Sequence, residues 1–440
     1  MNAIQHTASA VATEAADVKE RHASRRTVFA AALGNGLEFF DFTVYSFFAA
    51  LIGKLFFPAG SDVGALMMSL ATFGVGFVVR PLGSIVIGAY ADRVGRKQAL
   101  VLTVSLMALG TGMIGLAPTY ATIGLAAPAI IVLGRLLQGF SAGGEVGAAT
   151  TLLMESGSAG RRGSLVSWQM ASQGGAALVG ALVAATLSRS LSHEDLLAWG
   201  WRVPFLIGLL IGPLGFYLRK HLDETLPPAD AAKAAQPDAA RPDAARPKAR
   251  IEWRQIVAGT MLVIGGTSSM YVIVFFLPSF LTMTTGMPAA VSLLAGCTAG
   301  LVLLVGSPFA GRLADRMPRR KTLLYAASVV SLAVLLPAFY AIKTWPSIYT
   351  VVLVVFVLIG LMTLSSPAGF VLILEAFQPE VRATSLGIIY ALGVTLFGGF
   401  AQLIVSALWR MSGSFYAPAW YVLACGLVSF AGVLLFKEAK

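Results

Sequence analysis

The sequence predicts an all-α integral membrane protein with twelve transmembrane helices in two pseudo-symmetric six-helix bundles. Three observations lead to this prediction: the composition, the number of long apolar runs, and a pair of motifs that occurs twice. Of the 440 residues, 57% are hydrophobic and 12% are charged, whereas soluble domains carry about 25% charged residues. A soluble chain of this composition would expose more apolar surface than water tolerates. The composition therefore excludes soluble enzymes, disordered proteins and secreted disulfide scaffolds.

Twelve apolar runs each approach or exceed the length of about 20 residues that a helix needs to cross a hydrocarbon core. Gly and Pro are scattered through them, as transmembrane helices permit. The first 26 residues are polar and lack the apolar core and cleavage site of a signal peptide. The predicted spans are residues 27–52, 63–90, 98–118, 123–150, 163–189, 201–219, 255–281, 289–311, 322–342, 348–373, 384–408 and 416–436.

The basic residues are distributed unevenly over the predicted loops. If the N-terminus is cytoplasmic, the cytoplasmic tails and loops hold 25 of the 32 Lys and Arg residues, and the outer loops hold 5. Cytoplasmic loops of membrane proteins carry such an excess. We therefore predict a multi-pass protein of the cell inner membrane with both tails, 1–26 and 437–440, in the cytoplasm. The same distribution explains the net charge of +11 without a nucleic-acid partner.

A long polar stretch divides the chain into two halves of six spans, residues 27–220 and 253–436. This stretch, residues 221–252, is rich in Ala, Pro and alternating charges. Such a composition cannot bury a core, so we predict a cytoplasmic linker.

Two motifs of the first half recur in the second half with almost the same offset. The sequence GAYADRVGRK at 88–97 is matched by GRLADRMPRR 223 residues later. Glu155, which is followed by Arg161 and Arg162, is matched by Glu375, which is followed by Arg382, at an offset of 220 residues. Repeated six-span halves are typical of secondary transporters, which bind substrate between the halves near the middle of the membrane.

The segment 88–97 resembles the loop signature of the major facilitator superfamily. Its second copy departs from the pattern, because Pro318 replaces the usual Gly. The segments GNGLEFFDF at 34–42, RPLG at 80–83, GRLLQG at 134–139 and WGWRVPF at 199–205 resemble the metabolite–proton symporter family. Residues 122–145 are most similar to its citrate/tricarballylate branch. The resemblance implies the major facilitator fold and proton-coupled uptake of an anionic carboxylate.

Three carboxylates inside predicted spans are candidates for proton coupling. Ionisable groups are costly in a membrane and therefore indicate function. Glu38 and Asp41 share one helix face, and two buried carboxylates this close should not both ionise readily. One of them is thus expected to exchange a proton near neutral pH, unless both form structural ion pairs with arginines. Glu145 is either a second proton site or the partner of a loop arginine.

Arg80 and Arg135 are the basic residues that fall deep inside predicted spans, and both lie in the first half. A planar guanidinium binds a carboxylate with two parallel hydrogen bonds, so we predict that both bind substrate. The alternatives for Arg80 are that it caps a helix end near Pro81 or docks the loop 88–97. The alternative for Arg135 is that it belongs to a Gly-Arg-x-x-Gln-Gly pattern that is common in the superfamily for varied substrates.

Uncharged polar residues are predicted to complete the substrate site. Gln169 and Gln173 share a face of the fifth span and either bind substrate or pack between helices. The second half offers no ionisable residue inside its predicted spans, so its contribution is expected from Ser268, Tyr271 and Tyr390. Its weaker candidates are Thr267, Ser269, Ser365, Ser366 and Gln402.

The charged residues of the repeated motifs form a predicted cytoplasmic gate. Ion pairs that join the halves in one state and break in the other would give a two-state switch for alternating access. The alternative is that these residues only set the orientation in the membrane. The predicted gate comprises Asp92, Arg93, Arg96, Glu155, Arg162, Asp315, Arg316, Glu375 and Arg382.

The leading hypothesis is a proton-coupled symporter that imports a di- or tricarboxylate such as citrate and functions as a monomer in the lipid bilayer. The alternatives are a related symporter for another organic anion, such as 2-oxoglutarate or a shikimate-like acid, or for a zwitterionic osmolyte such as proline or betaine. Neither cysteine, Cys297 nor Cys425, has a metal-ligand spacing. No nucleophile–base pair or phosphate-binding loop occurs either. We therefore expect no catalytic residue, metal or cofactor, and no enzyme, sensor or nucleotide-driven pump.

Overall fold

The computed structural model describes residues 28–29, 31–94, 96–143, 145–220 and 252–438. Within these ranges the regular structure is entirely helical. The predicted N-tail, all but the last residue of the predicted linker 221–252, and the final two residues of the chain lie outside the described residues.

The first half contains six long helical units, of which the first bends and the second and fourth each comprise two consecutive helices. The bend in α1 measures 65°. Short helices at Tyr120–Ile123 and His193–Ala198 lie in the connections. The units are α1 (Ala31–Phe47 and Ala49–Phe56), α2 (Asp62–Val78 and Arg80–Val94), α3 (Arg96–Leu116), α4 (Ala126–Ala142 and Glu145–Glu155), α5 (Arg162–Ser190) and α6 (Val203–Lys220).

The second half repeats this arrangement with six further units. Two of them contain a π-helical segment, Met270–Phe276 in α7 and Thr395–Gly399 in α11. The units are α7 (Trp253–Ser269, continued to Leu277–Thr285), α8 (Ala289–Arg316), α9 (Arg320–Thr344), α10 (Ile348–Glu375), α11 (Pro379–Val394, continued to Ala401–Ser412) and α12 (Ala417–Leu435).

Each of the twelve predicted apolar runs coincides with one of these units. Among the described residues, nine helices are long and apolar enough to cross a membrane, or ten if the bent α1 counts as one span. The other two units are α3, whose apolar part is the shorter stretch Val101–Leu116, and α6. The predicted all-helical membrane architecture is confirmed, whereas the exact division at 221–252 stays a prediction.

The two halves pack most extensively through α5 and α8, where glycines allow the backbones to touch. A Cβ atom at Gly174 would lie 2.8 Å from the carbonyl oxygen of Gly300, and one at Gly300 would lie 2.8 Å from that of Gly174. Gly163, eleven residues before Gly174 on α5, and Gly311, eleven residues after Gly300 on α8, face each other in the same way. Eleven residues complete three helical turns, so both glycine pairs lie on one antiparallel seam.

The seam predicts that Gly300→Ala destabilises the protein. The added methyl group would overlap backbone atoms of Leu178 and Gly174, and overpacking of this kind costs about 1–3 kcal/mol. We expect an earlier unfolding transition when the variant is heated in detergent. The matched control is Gly360→Ala in α10, where a Cβ atom meets nothing within 4 Å. An unfolding curve for Gly300→Ala that overlays the parent and this control would contradict the tight seam.

Candidate functional site

Two arginines and two carboxylates are buried together inside the first half. Glu38 and Asp41 on α1 and Arg80 on α2 are each 3% exposed, and Arg135 on α4 is fully buried. Buried charges are tolerated where they are paired or hydrogen-bonded. The partners of these four side chains therefore define the chemistry of the site.

Arg80 forms an ion pair with Glu38. Its Nη2 atom lies 3.4 Å from Glu38 Oε1. The guanidinium also stacks on two aromatic rings, 4.2 Å from the centroid of Phe77 and 4.7 Å from that of Phe42. Cation–π contacts of this kind are strongest where water is excluded. The arrangement matches the ion-pair alternative for Glu38, and it leaves the proposed binding of substrate by Arg80 a prediction.

Arg135 is held by three aromatic rings and one glutamine. Its guanidinium lies 4.6–4.8 Å from the ring centroids of Phe42, Tyr45 and Phe73. Its Nη1 atom donates a 2.7 Å hydrogen bond to Oε1 of Gln138. Among the described residues, Nε and Nη2 have no hydrogen-bond partner. Because Phe42 contacts both guanidiniums, the two arginines share one aromatic cage between α1, α2 and α4.

Asp41 is reached from Arg135 through a chain of hydrogen bonds. The Thr111 hydroxyl on α3 donates to Asp41 Oδ2. Gln138 Nε2 donates to Thr111 Oγ1 at 2.9 Å and, more weakly, to Asp41 Oδ2 at 3.4 Å. Sequence reasoning assigned no role to Gln138 or Thr111. A signal existed for Gln138, because a residue three positions after Arg135 lies on the same helix face, whereas Thr111 carried none.

The three predicted proton-coupling carboxylates line one narrow crevice of about 40 Å³ between α1, α3, α4 and α6. Glu38, Asp41 and Glu145 reach it from two of these helices. A Cβ atom at Gly208 on α6 would lie 2.5 Å from Asp41 Oδ1, so the absence of a side chain there keeps the crevice open beside the carboxylate. The volume suffices for about two water molecules. The structure thus brings the three carboxylates together, and their role in proton coupling stays a prediction.

A larger cavity of about 150 Å³ lies mainly in the second half, between α7, α9, α10 and α12. Its wall on the side of the first half includes Phe39, Met170 and Gln173. The lining found among the described residues is apolar or uncharged polar, and it is rich in hydroxyl groups. The polar residues of the second half that line it are Thr267, Ser269, Tyr271, Ser328, Ser331, Ser365, Ser366, Tyr390 and Ser429.

The predicted substrate-binding residues divide into two groups. Gln173, Tyr271 and Tyr390 line the cavity. Gln169 instead contacts Asn35 on α1. Its amide nitrogen donates to Asn35 Oδ1 at 2.8 Å, and Asn35 Nδ2 donates to the backbone carbonyl oxygen of Gln169 at 3.0 Å. These contacts correspond to the alternative in which Gln169 packs between helices. The Ser268 hydroxyl donates to the carbonyl oxygen of Gly265 in its own helix, at 3.0 Å.

Tyr271 separates the cavity from the arginine cage. Its ring centroid lies 5.5 Å from that of Phe77 and 6.1 Å from that of Phe73. Its hydroxyl is buried and has no hydrogen-bond partner among the described residues. Tyr271 therefore lies between the hydroxyl-rich cavity and the Phe73 and Phe77 rings that contact the two arginines.

Ion pairs join the two halves at the end of the molecule where α4 and α10 terminate. Arg162 Nη1 lies 2.8 Å from Glu375 Oε1, and Arg382 Nη1 lies 2.9 Å from Glu155 Oε1. Glu375 also pairs with Arg320, a residue that the sequence analysis did not select. These contacts bring four of the predicted gate residues together.

Asp315 acts across the halves in a different way. Its carboxylate accepts hydrogen bonds from the backbone N–H groups of Gly163, at 2.6 Å, and Ser164, at 2.9 Å. The Ser164 hydroxyl donates to it as well, at 2.6 Å. Asp315 therefore caps the N-terminus of α5. Arg316 is exposed, and the side chains of Asp92, Arg93 and Arg96 lie outside the described residues.

Comparison with known sequences gives matches along most of the chain. The family described as "Sugar (and other) transporter" matches residues 27–228, and the one described as "Major Facilitator Superfamily" matches residues 271–440. The chain is 37% identical to a citrate-proton symporter of Salmonella typhi, covering 93% of this chain and 94% of the relative.

Two other relatives carry different substrate names. An alpha-ketoglutarate permease of Escherichia coli is 32% identical, with 95% of each chain covered. A proline/betaine transporter of Salmonella typhimurium is 31% identical and covers 94% of this chain and 83% of its own. The xylose transporter of Escherichia coli in a partially occluded, inward-open conformation superposes with a TM-score of 0.76 at 18% identity, with 95% and 98% of the two chains covered. This last similarity shows the fold alone.

The ion pairs predict that charge reversal loosens the contact between the halves. Glu155→Arg or Arg382→Glu places like charges together, and a partly exposed pair is worth up to about 1 kcal/mol, or about fivefold in population. We expect Ser366→Cys, in a background with Cys297 and Cys425 changed to Ser, to react faster with a maleimide in either single variant. The double variant should restore most of the parent rate. Equal labelling rates in all four proteins would contradict a gate at this pair.

Proposed function

Because the chain belongs to the major facilitator superfamily and, within it, to the metabolite–proton symporters, we propose that it imports a di- or tricarboxylate such as citrate together with protons. The observation that carries this proposal is that Arg80, Arg135, Glu38 and Asp41 are buried together, two guanidiniums and two carboxylates in one apolar bundle. The substrate named for the relative from Salmonella typhi supports the choice of citrate.

The charge balance of this set favours binding an anion and a proton together. Arg80 is neutralised by Glu38, whereas Arg135 is balanced by Asp41 through Gln138 and Thr111. Protonation of Asp41 leaves the buried guanidinium of Arg135 without a counter-charge, which is costly in an apolar interior. A substrate carboxylate supplies that charge, so proton binding and anion binding promote each other.

We place the uncharged part of the substrate in the hydroxyl-rich cavity and its carboxylates against the arginines. Tyr271, which stands between the two regions, belongs to the π-helical segment of α7, and such segments are frequent at functional sites. Gly398 on α11 lies against this ring, because a Cβ atom there would come within 2.9 Å of it. Movement of Tyr271 would let the substrate reach Arg80 and Arg135.

Alternating access would use the ion pairs between the halves. We place their end of the molecule, and both chain termini, in the cytoplasm, on the basis of the Lys and Arg distribution. The pairs Arg162–Glu375 and Arg382–Glu155 then hold the cytoplasmic end closed, and the inner membrane of a bacterial cell is the expected location. Release of substrate to the cytoplasm requires these pairs to separate.

A dicarboxylate such as 2-oxoglutarate is the second candidate. The Glu38–Arg80 pair leaves Arg135 as the one guanidinium of the cage without a direct carboxylate partner among the described residues. A substrate with fewer negative charges than citrate suits this arrangement, and the permease from Escherichia coli carries that substrate in its name.

Uptake by the purified protein in proteoliposomes tests the substrate class. We expect radiolabelled citrate or 2-oxoglutarate to accumulate only when the outside is more acidic than the inside, and tricarballylate to compete. A proton-conducting ionophore should abolish accumulation, while protein-free vesicles serve as the control. Accumulation of betaine without uptake of any carboxylate would overturn the anion proposal.

Asp41→Asn tests the proton site. The amide cannot exchange a proton, so accumulation driven by the pH gradient should fall to background, whereas exchange of external for internal substrate should persist. The matched control is Asp62→Asn, since Asp62 is exposed and pairs with Lys54 at 3.0 Å. If Asp41→Asn accumulates substrate as the parent does, the coupling proton binds elsewhere.

A further inference from the structure

We propose that Gln138 and Thr111 are positioning residues that couple substrate binding at Arg135 to protonation of Asp41. This inference rests on the proposed proton symport and adds the connection between its two sites. No ion pair joins Asp41 directly to Arg135 in the described structure; the link passes through the amide of Gln138 and the hydroxyl of Thr111.

The donors and acceptors fix the direction of this chain. A guanidinium can only donate, so the Gln138 oxygen must face Arg135, which it does at 2.7 Å. The amide nitrogen then points to Thr111 Oγ1, at 2.9 Å, and the hydroxyl hydrogen of Thr111 points to Asp41 Oδ2. Every hydrogen bond is therefore donated toward Asp41, and each one stabilises its ionised form.

Close helix packing holds the chain in place. A Cβ atom at Gly110 on α3 would lie 2.8 Å from Gln138 Cγ, and one at Gly208 on α6 would lie 3.2 Å from Thr111 Cγ2. Gln138 is completely buried and Thr111 is 1% exposed. The two side chains therefore have little freedom to turn away while Arg135 keeps its position.

Engagement of Arg135 by a substrate carboxylate changes this arrangement. Gln138 occupies the Nη1 donor of the guanidinium, whereas Nη2 has no partner among the described residues. A carboxylate that binds Nη1 and Nη2 together displaces the Gln138 oxygen, so the amide no longer holds its nitrogen toward Thr111 and Asp41. Asp41 then loses the weak hydrogen bond from the Gln138 amide, and the Thr111 hydroxyl that donates to Asp41 loses the donor that polarises it. Both changes favour the protonated form of Asp41. By linkage, protonation of Asp41 raises the affinity of Arg135 for the anion by the same factor.

Other charged groups surround Asp41 and remain in the variants designed to break the chain. They are Glu38 on α1, Arg80 on α2, and Arg135 and Glu145 on α4, whereas the described contacts from α3 and α6 are uncharged. A change that removes only the Thr111 hydroxyl or the Gln138 amide therefore isolates the hydrogen-bond chain from the general field of these charges.

The test compares Thr111→Val and Gln138→Met with Thr111→Ser, which keeps the hydroxyl. Citrate affinity is measured by calorimetry on the full-length proteins in detergent, from pH 6 to pH 8. Asp41→Asn supplies the pH dependence that belongs to citrate itself. Thr150→Val is the matched control, because the buried Thr150 hydroxyl bonds the carbonyl oxygen of Val146 in its own helix.

We expect the affinity of the parent for citrate to increase as the pH falls. This increase should exceed the increase in Asp41→Asn by at least about fivefold, the lower end of typical coupling. In Thr111→Val and Gln138→Met this excess should drop below about twofold, whereas Thr111→Ser and Thr150→Val should keep it. The two chain-breaking variants provide independent tests if one of them fails to fold.

Two results would overturn the inference in distinguishable ways. If the parent and Asp41→Asn respond to pH alike, proton-coupled anion binding fails, and the inference fails with it. If the parent shows the excess and both Thr111→Val and Gln138→Met retain it in full, proton symport stands, and the coupling does not run through this chain.

Discussion

The rest of the structure depends on the requirement that charge buried in an apolar bundle must be balanced from within. Arg80 meets this requirement through Glu38, and Arg135 meets it through Gln138, Thr111 and Asp41. The aromatic rings around both guanidiniums exclude water, which strengthens each of these contacts. Because the buried charges balance each other, an added negative charge is costly unless a positive charge accompanies it. In the proposed mechanism the substrate anion and the proton supply these two charges together.

The two halves use equivalent helices for different chemistry. The crevice of the first half lies between α1, α3, α4 and α6, and the cavity of the second half lies between the corresponding α7, α9, α10 and α12. Carboxylates line the former and hydroxyl groups line much of the latter. The repeat thus places a cavity at the equivalent position in each half. The side chains that line it are partly charged in the first half and uncharged in the second half.

The helices and the ionisable residues of the site could be predicted from the sequence, because apolar length and intramembrane charge are properties of single segments. Partners in other segments could not. Nothing local places Thr111 beside Asp41, and the rotation of α7 that turns Thr267 and Ser269 toward the cavity, rather than Ser268, depends on its packing. Likewise, the motif at 311–320 contains several arginines, and only the structure shows that Arg320 pairs with Glu375.

The cap that Asp315 provides for α5 makes the contact between the two halves less sensitive to ionic strength. Dissolved ions screen attraction between exposed charges but act much less on partly buried contacts. Two of the three donors to this carboxylate are backbone N–H groups, and the third is a hydroxyl. Separating the halves there would leave the N–H groups in the first turn of α5 without this carboxylate. The loss of such a cap costs about 0.5–2 kcal/mol, and this cost remains at high salt concentration. The contact between the halves at this end therefore keeps part of its stability at salt concentrations that screen exposed ion pairs.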